Sequence, residues 1–155
     1  MSMVIEKEKT CAFTGHRKLK ADFDEELLKS VIKKIVDMGY DTFLCGMALG
    51  FDAKCFTVLE EIRKEKKIKI IACIPCRLQS YKYNYKQKIE YDRMIKSADD
   101  RVIISEEYTP YCMFKRNMFM VDNCDILVAY LRTERGGTKN TVNYAKKNGV
   151  KIVRL

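Results

Sequence analysis

Hydrophobic and polar positions along this chain alternate between a strand rhythm and a helix rhythm. Thr10–Thr14 is a short strand-like run that stops at Gly15. Glu25–Met38 follows, with Leu27, Leu28, Val31, Ile32 and Ile35 at helical spacing and Gly39 just past the end. Thr42–Cys45 is a second apolar run, stopped by Gly46. Leu49–Lys66 predicts a helix with Ala53, Phe56, Leu59 and Ile62 on one stripe. Ile68–Ile74 is a β-branched strand ended by Pro75. Tyr85–Ser97 predicts a wetter helix, and Arg101–Ser105 a strand. Met113–Asn123 predicts a helix with Phe114, Met118 and Val121 facing inward. Ile126–Leu131 is an almost wholly apolar strand. Thr138–Asn148 is the last helix, stopped by Gly149, and Val150–Arg154 the last strand.

Strand and helix alternating throughout predicts an α/β, three-layer fold: a mostly parallel sheet with helices on both faces. The apolar Ile126–Leu131 fits a strand covered on both sides. The 155 residues suit one domain over 1–155, with 1–9 as a short N-terminal extension. Hydrophobic residues at 47% and charged residues at 33% are ordinary for a globular chain and exclude a disordered or disulfide-stapled class. No apolar run is long enough to cross a membrane, and the amino terminus shows no secretory pattern. The expectation is a cytoplasmic protein with no membrane partner.

In an open parallel sheet, ligands bind outside the carboxyl ends of the strands. The glycines and polar residues fall there repeatedly: Thr14-Gly15-His16-Arg17, then Gly46 through Gly50 and Asp52, then Gly136-Gly137-Thr138. Such turns bring backbone N–H groups and a helix's positive end to an anion. They serve equally as tight turns and helix starts. Neither glycine pair is a Walker loop or a dinucleotide fingerprint. Thr138 is a candidate cap for the last helix and a hydroxyl donor to phosphate. Arg17 suits bidentate anion recognition. His16, the single histidine, reads as a structural or ligand-orienting group ahead of a general base. Arg116 and Asn117, early in a helix, read as lining the rim.

The net charge of +9 favours anionic partners of any kind. Much of the excess sits at 63–69 and 146–154, where lysines read as solvated faces. Tyr81-Lys82-Tyr83-Asn84-Tyr85-Lys86 interleaves rings with cations, as nucleic-acid surfaces do and as exposed connections also do. Seven irregularly spaced cysteines predict free thiols. Cys73 and Cys76 form a C-x-x-C, but no second pair completes a metal site, and a redox role stays open.

Cys11 through Arg17, Cys45 through Asp52 and Ala72 through Cys76 together resemble short bacterial YpsA-like proteins of the SLOG superfamily. Ser105 through Pro110, Lys115-Arg116-Asn117 with Met120 through Asp122, and Gly136 through Ala145 extend the resemblance over nearly the whole chain. It implies a Rossmann-like fold that holds nucleotides, nucleotide-derived signals or nucleic acid at the glycine-lined edge. Lonely Guy phosphoribohydrolases and the DNA-processing protein DprA share that superfamily. Lonely Guy enzymes carry a glutamate after their Gly-Gly-x-Gly-Thr motif, whereas Thr138 here runs into Lys139-Asn140-Thr141-Val142. Asp52 and Asp122 are then the candidate acid/base carboxylates if the protein is an enzyme.

The reading is a binding module for a small anionic, nucleotide-derived ligand. Its site residues are Thr14, Gly15, His16, Arg17, Gly46, Gly50, Asp52, Arg116, Asn117, Gly136, Gly137 and Thr138. No metal or fixed cofactor is called for. An N-glycosidase acting on a nucleoside monophosphate and a nucleic-acid binder are the alternatives. Exposed apolar residues are compatible with a homodimer.

Overall fold

Six strands make one wholly parallel sheet in this computed structural model, which describes residues 3–155. In chain order the elements are β1 (Thr10–Gly15), α1 (Glu25–Asp37), β2 (Thr42–Cys45), α2 (Phe51–Arg63), β3 (Lys69–Cys76), α3 (Tyr85–Ser97), β4 (Asp100–Ser105), α4 (Cys112–Asp122), β5 (Ile126–Tyr130), α5 (Gly137–Lys147) and β6 (Lys151–Arg154). The spatial order is β4-β3-β2-β1-β5-β6. The chain steps outward from β1 to β4, then crosses back to lay β5 on the other side of β1. Strand order therefore reverses between β1 and β5, which opens a crevice at their carboxyl ends.

The period of two along each strand divides the core between the two faces of the sheet. Phe13, Phe43 and Ile70 pack with Leu28, Phe56 and Met94 from α1, α2 and α3. Ala12, Leu44 and Ile71 pack with Met120, Val121 and Ala145 from α4 and α5. Each fully buried Leu, Ile or Phe contributes roughly 1.5–3 kcal/mol. Of the extension 1–9, residues 1 and 2 lie outside the described residues. Met3 and Ile5 pack against the second core, and Lys7–Lys9 forms one 3-10 turn.

Two expectations change. Pro75 does not end β3, which runs on to Cys76. Pairing with β2 stops at Ala72, while pairing with β4 continues to Cys76. Beyond Ala72 the strand has one neighbour, so a residue without an N–H is tolerated there. In α4 the buried residues are Cys112, Arg116, Met120 and Val121, whereas Phe114 is exposed. The inward stripe therefore includes a charged side chain, and a count of apolar positions passes over it.

All seven cysteines are buried and unbridged. Cys73 and Cys76 lie three apart on one strand, so they face opposite sides of the sheet and cannot bridge each other. Burial pushes the Cys73 thiol up to about 12. No helix among the described residues is long and apolar enough to cross a membrane.

Candidate functional site

The β1/β5 crevice holds a cavity of about 270 Å³. Thr14, Gly15, His16 and Arg17 reach it from the end of β1. Ala48 enters from the β2–α2 turn and Asp52 from the start of α2, Met113, Arg116 and Asn117 from α4, and Gly137 and Thr138 from α5. Nine of the twelve ligand-site residues read from the sequence thus line one cavity. Gly46, Gly50 and Gly136 do not, and Met113, Ala48 and Phe13 join the lining unforeseen. Asp122 lies at the far end of α4, where it accepts a hydrogen bond from the Tyr144 hydroxyl at 2.8 Å, away from the cavity.

At three of the glycines a side chain would meet close neighbours. A Cβ on Gly15 would collide with the Phe51 ring. A Cβ on Gly46 would stand 2.8 Å from Asp52 Oδ2 and 2.9 Å from the Arg116 guanidinium. Gly50 has φ +79° and lies directly against the Arg17 carbonyl. The turn from β2 to α2 is therefore pressed against the turn that follows β1. Gly137, by contrast, has open space where a side chain would stand.

Arg116 is buried, not at the rim, at 5% exposure. Its Nη1 donates to the Gly46 carbonyl, and its Nε donates to Asn117 Oδ1 at 2.8 Å. Gln79 Nε2 donates to the same Gly46 carbonyl at 3.1 Å, while its Oε1 accepts from the Tyr91 hydroxyl at 2.9 Å. Sequence reasoning missed Gln79 because a lone glutamine after a strand carries no motif. These donors hold a turn whose next residue, buried Met47, has φ 65°.

Asp52 is the one carboxyl in the lining. It accepts from the Ala48 N–H at 3.2 Å and so occupies the positive end of α2. Burial raises it above its ordinary range, against the pull of Arg116, the Ala48 N–H and Arg17. The positive ends of α4 and α5 stay open to a ligand. Thr138 does not cap α5: Gly136 takes the N-cap position, and no side chain bonds there. That leaves the buried Thr138 hydroxyl facing the cavity.

His16 Nε2 accepts from the Arg132 backbone N–H at 2.8 Å, which places its proton on Nδ1. Burial, with Lys20 and Arg132 nearby, lowers its pKa, so the ring is neutral at pH 7. His16 fastens the β1 turn to the end of β5. Arg132 is engaged elsewhere: it bonds Asp22 at 2.7 Å and the Leu155 carbonyl at 2.7 Å, and lies 4.4 Å over the Tyr130 ring. Arg17 is exposed at the cavity mouth and enters no ion pair among the described residues. The arrangement can neutralise an anion with Arg17, surround it with donors, and supply one buried carboxyl.

Residues 11–152 match a family model described as the YspA SLOG family. The chain belongs to this family. This YspA-family chain is 32% identical over 136 residues to the uncharacterized SPbeta prophage-derived protein YoqJ of Bacillus subtilis (strain 168), covering 79% of this chain and 80% of YoqJ. Among solved structures it is similar to DNA processing protein A (DprA) of Streptococcus pneumoniae, with a TM-score of 0.71 and 16% identity over 95% of this chain. A structure concerned with single-stranded DNA binding by DprA of Helicobacter pylori gives a TM-score of 0.70 and 15% identity over 96%. At these identities the likeness is one of fold. The chain spans 50% of the first DprA chain and 65% of the second. In this YspA-family chain the cavity lies where the doubly wound topology puts it, at the reversal of strand order.

Proposed function

We propose that the β1/β5 cavity binds a nucleotide or nucleotide-derived small molecule through its phosphate and sugar. The observation that carries this is the convergence on one cavity of the open N-termini of α4 and α5, the free Arg17, and the Thr14 and Thr138 hydroxyls. Helix N-termini and arginine favour phosphate over neutral ligands. Asn117 and Asp52 add polar partners for sugar hydroxyls. Membership of the YspA SLOG family and the single-stranded DNA binding of the Helicobacter pylori fold neighbour support the same chemical unit.

The test is mass spectrometry of small molecules released from freshly purified protein, joined to melting curves with nucleotides, ADP-ribose and cyclic dinucleotides. A ligand at about a hundred times its Kd stabilises the folded state by roughly 2.7 kcal/mol, a shift of several degrees. A retained nucleotide or such a shift supports the reading. No shift with any member of the panel overturns it.

Asp52 favours one further reading, N-glycosidic hydrolysis of a nucleoside monophosphate. A buried carboxyl with a raised pKa suits a general acid. α5 carries no carboxylate along its length to assist it. Released base and ribose phosphate are assayed directly, and no release from any purine or pyrimidine monophosphate removes this reading.

A further inference from the structure

Cys11, Cys73 and Cys124 give their thiol protons to backbone carbonyls. Cys76 instead donates to a second thiol, that of Cys112. Cys76 is the last residue of β3 and Cys112 the first of α4, so the pair lies at the carboxyl edge of the sheet, the edge that holds the cavity.

A shared anchor holds the two elements side by side. Gln79, in the turn after Cys76, and Arg116, one helical turn after Cys112, donate to the same Gly46 carbonyl. The Gln79 N–H returns to the Cys76 carbonyl at 3.1 Å. Both cysteines are buried, yet exposed chain adjoins each of them: Arg77 and Leu78 follow Cys76, and Pro110 and Tyr111 precede Cys112. Cys11, Cys45 and Cys73 have a buried residue on either side. A local opening of one turn uncovers the edge pair, whereas the sheet must come apart to uncover the other three.

The surroundings suit thiol chemistry. Arg116 and the positive end of α4 favour negative charge on sulfur at this spot. Burial, and then the Cys112 thiol beside it, raise Cys76 above its ordinary value. Cys76 therefore keeps its proton, and Cys112 is the sulfur that reacts first.

We infer that Cys76 and Cys112 are a dithiol that a hydroperoxide oxidises to a disulfide, and that closing this bond resets the wall of the ligand cavity. The Cys112 thiolate attacks a peroxide oxygen and breaks the O–O bond, leaving a sulfenic acid and, from hydrogen peroxide, water. The Cys76 sulfur then displaces the sulfenic oxygen, which leaves as a second water, and the S–S bond forms. The two thiols give up two protons and two electrons, and the peroxide takes both. Bonded sulfurs stand about 2.05 Å apart, closer than two thiols in hydrogen-bond contact. Closure therefore draws Cys112 toward β3, and with it the first turn of α4, whose Met113 and Arg116 line the cavity. The effect on ligand affinity rests on the nucleotide reading above; the disulfide does not.

The experiment treats the reduced protein with hydrogen peroxide, blocks free thiols with iodoacetamide and maps the unreduced digest by mass spectrometry. The expected product joins the Cys76 and Cys112 peptides with loss of two hydrogens, and fragmentation on either side of Pro75 tells Cys76 from Cys73. Thiols titrated in denaturant fall from seven to five and return to seven with dithiothreitol. Cys76→Ala stops the reaction at a Cys112 sulfenic acid, which dimedone traps; the parent digest carries the test if that variant does not fold. Amide hydrogen exchange over residues 112–117 changes on oxidation, while α1 on the opposite face keeps its rates. A nucleotide that binds the reduced form binds the oxidised form with an affinity altered by about five-fold or more. Seven thiols remaining after peroxide, or a bond to any other cysteine or between chains, overturns the proposal. A Cys76–Cys112 bond with unchanged exchange over 112–117 overturns the resetting of the wall. Nucleotides bound by neither form remove the nucleotide reading and leave the disulfide and its exchange signature standing.

Discussion

Arg116 sits at 5% exposure, where a guanidinium persists only if its donors are used. Gly46 and Asn117 take two of them, and the buried Asp52 carboxyl shares with the guanidinium the space that a Gly46 side chain would fill. Arg116→Ala strands the Asp52 charge and removes a donor from the Gly46 carbonyl. The expected loss is about 2 kcal/mol or more, read as a lower urea midpoint. An unchanged midpoint would show that Arg116 is not part of the folded framework. Asp52 gives a pH signature. Its carboxyl is raised from 3.8, so the folded protein holds that proton to higher pH than the unfolded chain does. The stability this contributes is complete below about pH 3.8 and is lost as pH rises through the folded value. Asp52→Asn keeps an acceptor for Ala48 and cannot ionise. Its stability should lack that fall, and profiles that run parallel to the parent's would contradict the assignment. At this scale the sequence was half legible. Arg17 stands out because it follows a strand and a glycine. The burial of Arg116 was hidden by its neighbours Lys115 and Asn117, which make the segment look like a wet helix face.

The turns between elements decide what the helices can present. The β2–α2 turn touches the β1 turn so closely that Gly50 has no room for a side chain and a φ of +79° besides. The start of α5 is different: Gly137 has space around it and faces the cavity. Gly50→Ala should therefore lower the melting temperature by several degrees, from strain and a backbone collision together. Gly137→Ala should leave melting nearly unchanged. The reverse order would mean that the two turns do not pack as described. Glycines at both turns were legible in the sequence, but their reasons were not. A glycine required by a neighbour distant in sequence, such as Phe51 for Gly15, looks identical to one required by a ligand. Element order and type were readable because β-branched runs and helical stripes alternate cleanly. The extension of β3 past Pro75 was not, because it depends on where β2 stops pairing.

The whole molecule explains why a basic chain need not be a general polyanion binder. The +9 is spread over solvated helix faces and ends, while the cavity concentrates a few donors at the one place where strand order reverses. Composition shows the first and only the topology shows the second. The parallel sheet puts every strand-to-helix turn on one edge, so residues as far apart as Arg17 and Thr138 face a single space. The central claim is that this space is a nucleotide-type anion site with Arg17 as its clamp. Titration calorimetry of the parent and of Arg17→Ala against nucleoside phosphates and ADP-ribose tests it most directly. The account predicts saturable binding of at least one ligand at one site per chain, weakened in Arg17→Ala by about 1–3 kcal/mol. No saturable binding of any of them, or binding that Arg17→Ala leaves unchanged, would contradict it.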